Sequence, residues 1–374
     1  MKNKTFKPLN FAYLTAVFFL LACMVATPSL QLLAGAATAA LIGGTLTAFM
    51  PNMGGSLRAI QVEVWQNVIE EELFKNNEFL MHSVDASDNV LGGKVVHIPQ
   101  SGGSGNVVKN RAVYPAVARQ RTDTDVIYVL DHYSTDPVHI LDAEQAELSY
   151  DKTASVLRED LDKLKEETAE EILYSWLHSG AHGTYAATAF PAGQVLSTTG
   201  ADTGVASAPS ATGARKKYTE TDLQRMQTKF RNDKRWFEGR MYSLLDPVAL
   251  ADLFPADSIV TKTAMQNVTE AERRMGVIYK LQGWNIMVRS SVARLNTGGT
   301  VLAPGAAGAA TDDGACLFWY DQAVERAVGE IKAYETLGAA EWYGDVYSFM
   351  VRMGGRARRA GYEGIALLKQ AKTA

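Results

Sequence analysis

Six histidines and two cysteines are the residues best suited to metal or nucleophilic chemistry in this 374-residue chain. The histidines are His82, His97, His132, His139, His178 and His182, and no pair forms a His-Glu-x-x-His motif. Cys23 and Cys316 lie far apart and complete neither a four-ligand zinc set nor a disulfide framework. Reduced thiols and an intracellular compartment are the expectation. His178 and His182 are four apart, a spacing that shares a helix face, but Gly180 between them marks a helix end. The carboxylate pairs Glu166-Glu167, Glu170-Glu171 and Asp312-Asp313 read as solvated charges on faces or loops. Gly102-Gly103-Ser104-Gly105 lacks the Gly-Lys-Ser/Thr ending of a phosphate loop, and no Gly-x-Ser-x-Gly elbow occurs between a strand and a helix. No catalytic, cofactor-binding or metal-binding residue is therefore assigned, and no enzymatic activity is expected. Trp176, Trp236, Trp284, Trp319 and Trp342 read as core or interface anchors.

The elements around these residues belong to an ordinary globular chain. Hydrophobic residues make up 47% and charged residues 21%, enough apolar mass for two or three compact units. A net charge of −4 argues against a dedicated nucleic-acid grip, which calls for a basic surface. One local exception is the basic stretch Arg356-Ala357-Arg358-Arg359, read as a turn opening at Gly354-Gly355. It suits carboxylates of a neighbouring molecule or a phosphate.

The spacing of apolar residues predicts a helix over Arg58–Leu73, continued from Phe74 to Met81 after a break at Asn76-Asn77. Val95–Pro99 and Asp125–Tyr133 are β-prone and are joined by a polar, glycine-rich connection, so they form an extended hairpin. That hairpin has too few apolar positions for a core of its own and must pack on something else. A long helix is predicted from Asp142, its N-cap, to Leu177, with Glu144 and Glu147 in the first turns. Leu157, Leu161, Leu164, Thr168, Ile172 and Trp176 make its apolar stripe. Arg158, Asp162, Lys163, Lys165, Glu166, Glu167 and Glu170 make its solvated face. Such a rod is about 50 Å long at 1.5 Å per residue.

Residues 184–213 and 296–314 are rich in small residues and read as loops. After the basic Arg215-Lys216-Lys217, a helix capped by Thr219 to Asp222 runs to Phe230. Gly239–Phe254 reads as strand, Asp246-Pro247 turn and short helix, and Gly276–Val288 as a strand pair about Gly283. Ala315–Tyr320, Asp345–Arg352 and Gly364–Lys369 read as strands, and Ala323–Tyr334 as mixed.

Residues 1–52 depart from this pattern. Lys2, Lys4 and Lys7 precede two apolar runs, Phe11–Ala26 and Leu30–Met50, split by Thr27-Pro28-Ser29. They suit a removable leader, a membrane hairpin, burial in an assembly, or an upstream stretch that is never translated, with Met53 as the true start. Leu20-Leu21-Ala22-Cys23 loosely matches a lipoprotein processing box.

The order of elements resembles the tailed-bacteriophage major capsid protein, the HK97-type fold. The local phrases that carry it are Tyr133-Ser134-Thr135-Asp136-Pro137, Leu148-Ser149-Tyr150-Asp151-Lys152, Gly239 to Pro247, Ala323-Val324-Glu325-Arg326-Ala327 and Asp345-Val346-Tyr347-Ser348. The resemblance covers about Met53 to Lys369. It implies an α+β subunit with an apolar extension (1–52), an N-terminal helical arm (53–89) and an extended β-hairpin arm (90–135). A spine helix with a peripheral domain (136–214), an axial domain (215–335) and closing peripheral strands (336–374) follow. It further implies self-assembly into pentamers and hexamers of an icosahedral virion shell, built in the host cytoplasm. The partners implied are portal, scaffolding or decoration proteins, with packaged DNA held only weakly. Membrane contact is left to residues 1–52. An encapsulin-like compartment shell and a membrane-anchored envelope protein are the alternatives. Lys94 and Lys109 lie in or near the arm, where some such shells crosslink, but no partner motif accompanies them.

Overall fold

The computed structural model describes residues 77–90, 94–100, 108–112, 114, 123–141, 152–178, 189–339, 341 and 343–373. The expected helix over Arg58–Leu73, the apolar extension 1–52, the tip of the arm and the Asp142 cap fall outside these residues. Among the described residues, no helix is long and apolar enough to cross a membrane.

In chain order, the strands before the long helix are β1 (Val84–Asp85), β2 (Val95–Gln100), β3 (Thr124–Val129), β4 (Asp131–Ser134) and β5 (Val138–Leu141). Helix α1 spans Lys152–Leu177. Strands β6 (Val195–Ser197), β7 (Asp202–Thr203) and β8 (Arg215–Lys216) lead to α2 (Glu220–Asn232). Then come β9 (Met241–Leu245), α3 (Pro247–Leu253), α4 (Ile259–Gln266), α5 (Glu270–Arg274), β10 (Tyr279–Leu281) and β11 (Trp284–Val288). The chain closes with β12 (Ala293–Leu295), β13 (Asp313–Tyr320), β14 (Val324–Ala339), β15 (Gly344–Ala357) and β16 (Ile365–Lys369).

Two sheets organise these elements. The first has five strands in the order β1-β14-β15-β4, with β5 also on β15. The second has seven in the order β10-β11-β9-β13-β16-β6, with β12 on β13. The expected domain limits at 214/215 and 335/336 do not follow sheet membership. Val324–Glu335 belongs to the first sheet, while Val195–Ser197 and Ile365–Lys369 belong to the second.

The second sheet holds the main core. Trp284 is fully buried at its centre, edge-on to Phe230, Trp236 and Phe318 at 4.9–5.2 Å. Three sequence expectations hold locally. Thr219 and Asp222 form a capping box on α2, and Asp246 accepts the Ala249 N–H to cap α3. Gln282 and Gly283 both have positive φ, which joins β10 to β11 by a tight two-residue turn. A side chain on Gly283 would strike the Trp236 ring at 2.7 Å.

Several expectations are corrected. The described part of the expected helix, from Asn77 on, is not a long helix; Glu78–His82 is a single 3₁₀ turn. Residues 189–213 are not a free loop. The β6 strand pairs with β16, and the fully buried Gln370 amide bonds Ser207 N–H (2.8 Å) and Val205 carbonyl (2.9 Å). These long-range bonds override a composition poor in strand formers. Of the stretch 323–334 read as mixed, residues 324–334 open the 16-residue strand β14. Gly354-Gly355-Arg356-Ala357 is not a turn; it ends β15. Gly355 is there because α1 presses on the sheet: a side chain would meet Trp176 Nε1 and Glu325 O at 2.8 Å. Asp312 and Asp313 are buried, not solvated. Arg215, itself fully buried, bonds the Asp313 carboxylate and the Asp312 carbonyl. A buried carboxylate persists only when such a partner neutralises it. Lys165, expected on the solvated face of α1, is also buried, its ammonium held by Asp162 at 2.9 Å.

Candidate functional site

Among the described residues, the residue types that suit chemistry are not brought together. Cys316 is buried inside β13, and burial pushes its thiol up. His178 is buried at the end of α1, His132 and His139 sit in strands, and His182 lies outside the described residues. Among the described residues, no three His, Cys, Asp or Glu side chains group as a metal site. Trp176, Trp284 and Trp319 are fully buried anchors. Trp236 is half-buried, and Trp342 is outside the described residues.

The structure concentrates its unusual features on projecting elements and on the joints that hold them. The first is the β2–β3 arm. Its register pairs Val95 with Val129 and Gln100 with Thr124. Strand alternation points Val96, Ile98, Val126 and Tyr128 to one face, where they pack on Ala86, Leu130 and Ala327. The hairpin thus borrows its core from its own subunit at the base. His97, Asp125 and Ile127 face outward, with His97 Nδ1 and Asp125 Oδ2 2.6 Å apart.

A polar knot ties this base to the body. Tyr128 Oη donates to Glu325 Oε1 at 3.2 Å, and Arg358 Nε lies 3.1 Å from Glu325 Oε2. Trp176 Nε1 donates to the Glu325 carbonyl at 3.0 Å, so β3, β14, the chain after β15 and α1 meet at one residue. Burial raises the Glu325 carboxyl, although Arg358 and Tyr128 oppose the shift. Burial and the adjacent Glu325 charge raise the Tyr128 phenol. Arg356 also donates to the Ile127 carbonyl of the arm at 2.7 Å.

The second joint is a clasp over residues 77–85. Phe79 packs edge-on to Trp176 at 5.8 Å, and Arg289 lies over the Phe79 ring. Arg289 also bonds Asn77 Oδ1 (2.5 Å) and Glu166 Oε1 (2.9 Å). Arg326 donates to the Leu80 and Ser83 carbonyls and approaches Asp85. His82 Nε2 lies 3.0 Å from the Met275 carbonyl and its ring stacks on Tyr242 at 4.1 Å. Desolvation lowers its pKa, partly offset by that hydrogen bond. Apolar spacing suggested only a continued helix here; the cations that complete the clasp come from residues more than 200 positions away.

The third feature is the β14–β15 ribbon, paired from Val324↔Ala357 to Ala339↔Gly344 with two register shifts. Beyond Arg326 the outer edge of β14 has no strand partner among the described residues. Tyr334, Leu337 and Tyr343 are exposed toward its far end, Tyr343 to 79%. A separate exposed apolar group lies on the helices beside β10: Ile259, Met265, Met275 and Ile278. Large exposed apolar groups of this kind mark contact surfaces more often than chemistry.

Comparison with known proteins agrees with this geometry. No protein-family model and no curated protein matches the chain. Solved structures do match. The capsid of cyanophage P-SCSP1u aligns at TM-score 0.53 and 16% identity, over 78% of this chain and 87% of that one. The capsid of Ralstonia phage GP4 aligns at 0.54 and 13%, over 78% and 88%. The capsid of cyanophage Pam1 aligns at 0.54 and 11%, over 78% and 89%. The chain therefore has the fold of tailed-phage capsid subunits, the HK97-type fold that its sequence resembles.

Proposed function

We propose that this chain is the major shell protein of a tailed phage or prophage and assembles with copies of itself into an icosahedral capsid that encloses DNA. The observation that carries this reading is the match of the fold over nearly nine-tenths of each phage capsid chain named above. The exposed arm and ribbon fit it, because both present surface that a lone subunit leaves uncovered. In this reading 90–135 is the arm that lies over a neighbour, α1 is the spine, the five-stranded sheet is the peripheral domain and the seven-stranded sheet is the axial domain. No catalytic step is required. Pentamers and hexamers are the building units, with portal, scaffolding or decoration proteins as further partners. Isolated exposed ion pairs contribute about 0–1 kcal/mol each, so repeated apolar burial must carry the assembly.

Electron microscopy and sedimentation of the purified full chain test the proposal. Uniform closed particles are expected, and a monodisperse small species at high concentration would overturn it. DNA inside particles recovered from the host distinguishes a virion from an enzyme compartment. Deleting Gly92 to Gln120 is expected to leave a folded subunit that closes no shells.

A further inference from the structure

The backbone of the ribbon shows which residues face its open edge. Phe349 of β15 sits opposite Ala333 of β14. Its N–H donates to Thr135 Oγ1 and its carbonyl accepts the Thr135 N–H, both at 2.9 Å. Phe349 therefore directs both backbone groups away from β14. In an antiparallel ladder, directly opposed residues either turn these groups toward each other or both turn them away. Ala333 thus points its N–H and carbonyl to the open edge, and the period of two adds Ile331 and Glu335.

The start of that edge is already covered. The Arg326 carbonyl accepts the Ala86 N–H at 2.8 Å, and the Val328 N–H donates to Ser87 Oγ at 3.0 Å. Farther along, β14 has no strand partner on this side among the described residues. The register shifts at Val328/Ile331 and Thr336/Ala339 bracket a regular stretch from Ile331 to Thr336. A shift bends and twists a strand, so an added strand can follow the edge only inside this window. The window holds three residues with outward backbone groups: Ile331, Ala333 and Glu335.

We propose that this window pairs with the same window of a second copy, antiparallel, about a two-fold axis at Ala333. That register uses all three outward residues, with Ala333 opposite Ala333 and Ile331 opposite Glu335 in both directions. An axis at Lys332 would set two ammonium groups directly opposite each other, which destabilises a strand pair. An axis at Tyr334 would push the partner of Ile331 beyond Thr336, into the second shift. With the axis at Ala333, Lys332 lies opposite Tyr334 of the second copy, a cation beside a ring that is 49% exposed in the single subunit. A lysine on an edge ordinarily repels added strands. Here it selects among them, admitting one that offers an aromatic face and no opposing cation. The proposal rests on the shell reading above and specifies one of its contacts. The contact is isologous and closes on itself, as the two-fold axes of an icosahedral shell require. So short a strand pair is too weak to hold a dimer alone, so it acts where many copies repeat it.

Two kinds of variant test it on the full chain. Ala333→Pro removes an N–H that points away from β15, and an edge strand tolerates proline at such a position. Both hydrogen bonds at the axis are lost, so particle yield is expected to fall by about tenfold or more. Circular dichroism of the unassembled subunits checks that folding is unchanged. Independently, Lys332→Cys/Tyr334→Cys sets each new cysteine opposite one of the second copy, at a Cα separation of about 4.5 Å that a disulfide can bridge. Oxidised during assembly, this double variant is expected to give linked dimers and no longer ladder, and neither single variant gives them. Normal yield from a folded Ala333→Pro chain, absence of the dimer, or a ladder beyond two chains overturns the two-fold pairing and leaves the shell reading intact. If Ala333→Pro unfolds the subunit, the cysteine pair alone decides. Failure of the unmodified chain to form particles removes both.

Discussion

Strand β13 is buried at seven of its eight residues, while β14, which follows after a three-residue turn, is buried at three of sixteen. The two strands differ in their neighbours more than in their chemistry. On β13, β9 and β12 pair along one edge and β16 along the other, inside the seven-stranded sheet. On β14, β15 covers one edge, and β1 covers only Glu325 and Arg326 on the other. One chain thus passes directly from a strand enclosed on both edges to one open along most of an edge. Enclosure is where the subunit's own stability resides; the open ribbon and arm spend that stability on surface offered to other molecules. Bulges at Val328/Ile331 and Thr336/Ala339, and the Lys332–Glu330 ion pair, keep the open edge from pairing indiscriminately.

The largest test of this division is Trp284→Ala. It empties the aromatic centre of the enclosed sheet and is expected to cost about 3–5 kcal/mol in urea denaturation of unassembled subunits. Tyr343→Ala on the ribbon is expected to change the same measurement by less than about 0.5 kcal/mol. Equal losses would break the comparison. Asp313→Ala comes next, because it strands the buried Arg215 without its carboxylate. A loss of about 3–5 kcal/mol is expected, recovered in large part by Arg215→Met/Asp313→Leu.

Two pH effects then separate the joints. Glu325 is raised in the folded state, so the fold binds its proton more tightly than the unfolded chain does. Lowering pH through that raised value should therefore strengthen the arm base. Protection factors of β2 and β3 amides, taken relative to the intrinsic exchange rate at each pH, are expected to rise on mild acidification, and Glu325→Gln to flatten the response. His82 has the opposite sign. Its pKa is lowered from 6.5 by burial, so the clasp is fully stable above the unfolded value and weakens as pH falls below it. Protection factors at Phe79 to Ser83, taken relative to the intrinsic exchange rate at each pH, should fall on acidification, and His82→Gln should remove that dependence. The smallest expected effect is Lys163→Ala, which breaks an exposed i,i+4 pair with Glu159 and should leave the urea midpoint essentially unchanged.

The helix stripe Leu161, Leu164, Thr168, Ile172 and Trp176, the α2 cap from Thr219 to Asp222, the change from strand to short helix at Asp246-Pro247 and the strand pair about Gly283 were legible because each is written within a few neighbouring residues. The resemblance to capsid subunits was legible for a related reason: the order of such local elements survives without any single diagnostic motif. The surroundings of the basic run and the length of the ribbon were less so. Arg358 and Arg359 were visible as a basic run, but their surroundings Ile98, Pro99 and Tyr320 come from two other segments. The ribbon's alternation is interrupted by Gly329 and Gly338, which hides a long strand from a periodicity reading.

By itself, then, the sequence determined the locally encoded helices, caps and turns, the outline of an arm before a long helix, and the lack of any short-range catalytic motif. Only the tertiary structure decided sheet membership, the fate of Asp312 and Asp313, and the convergence of Tyr128, Trp176, Arg358 and Glu325. The physical reason is range. Caps and turns are satisfied by backbone groups within about four residues. Strand pairing and buried charge depend on partners some 240 residues away, as Val84 and Glu325 illustrate, and no local pattern records them.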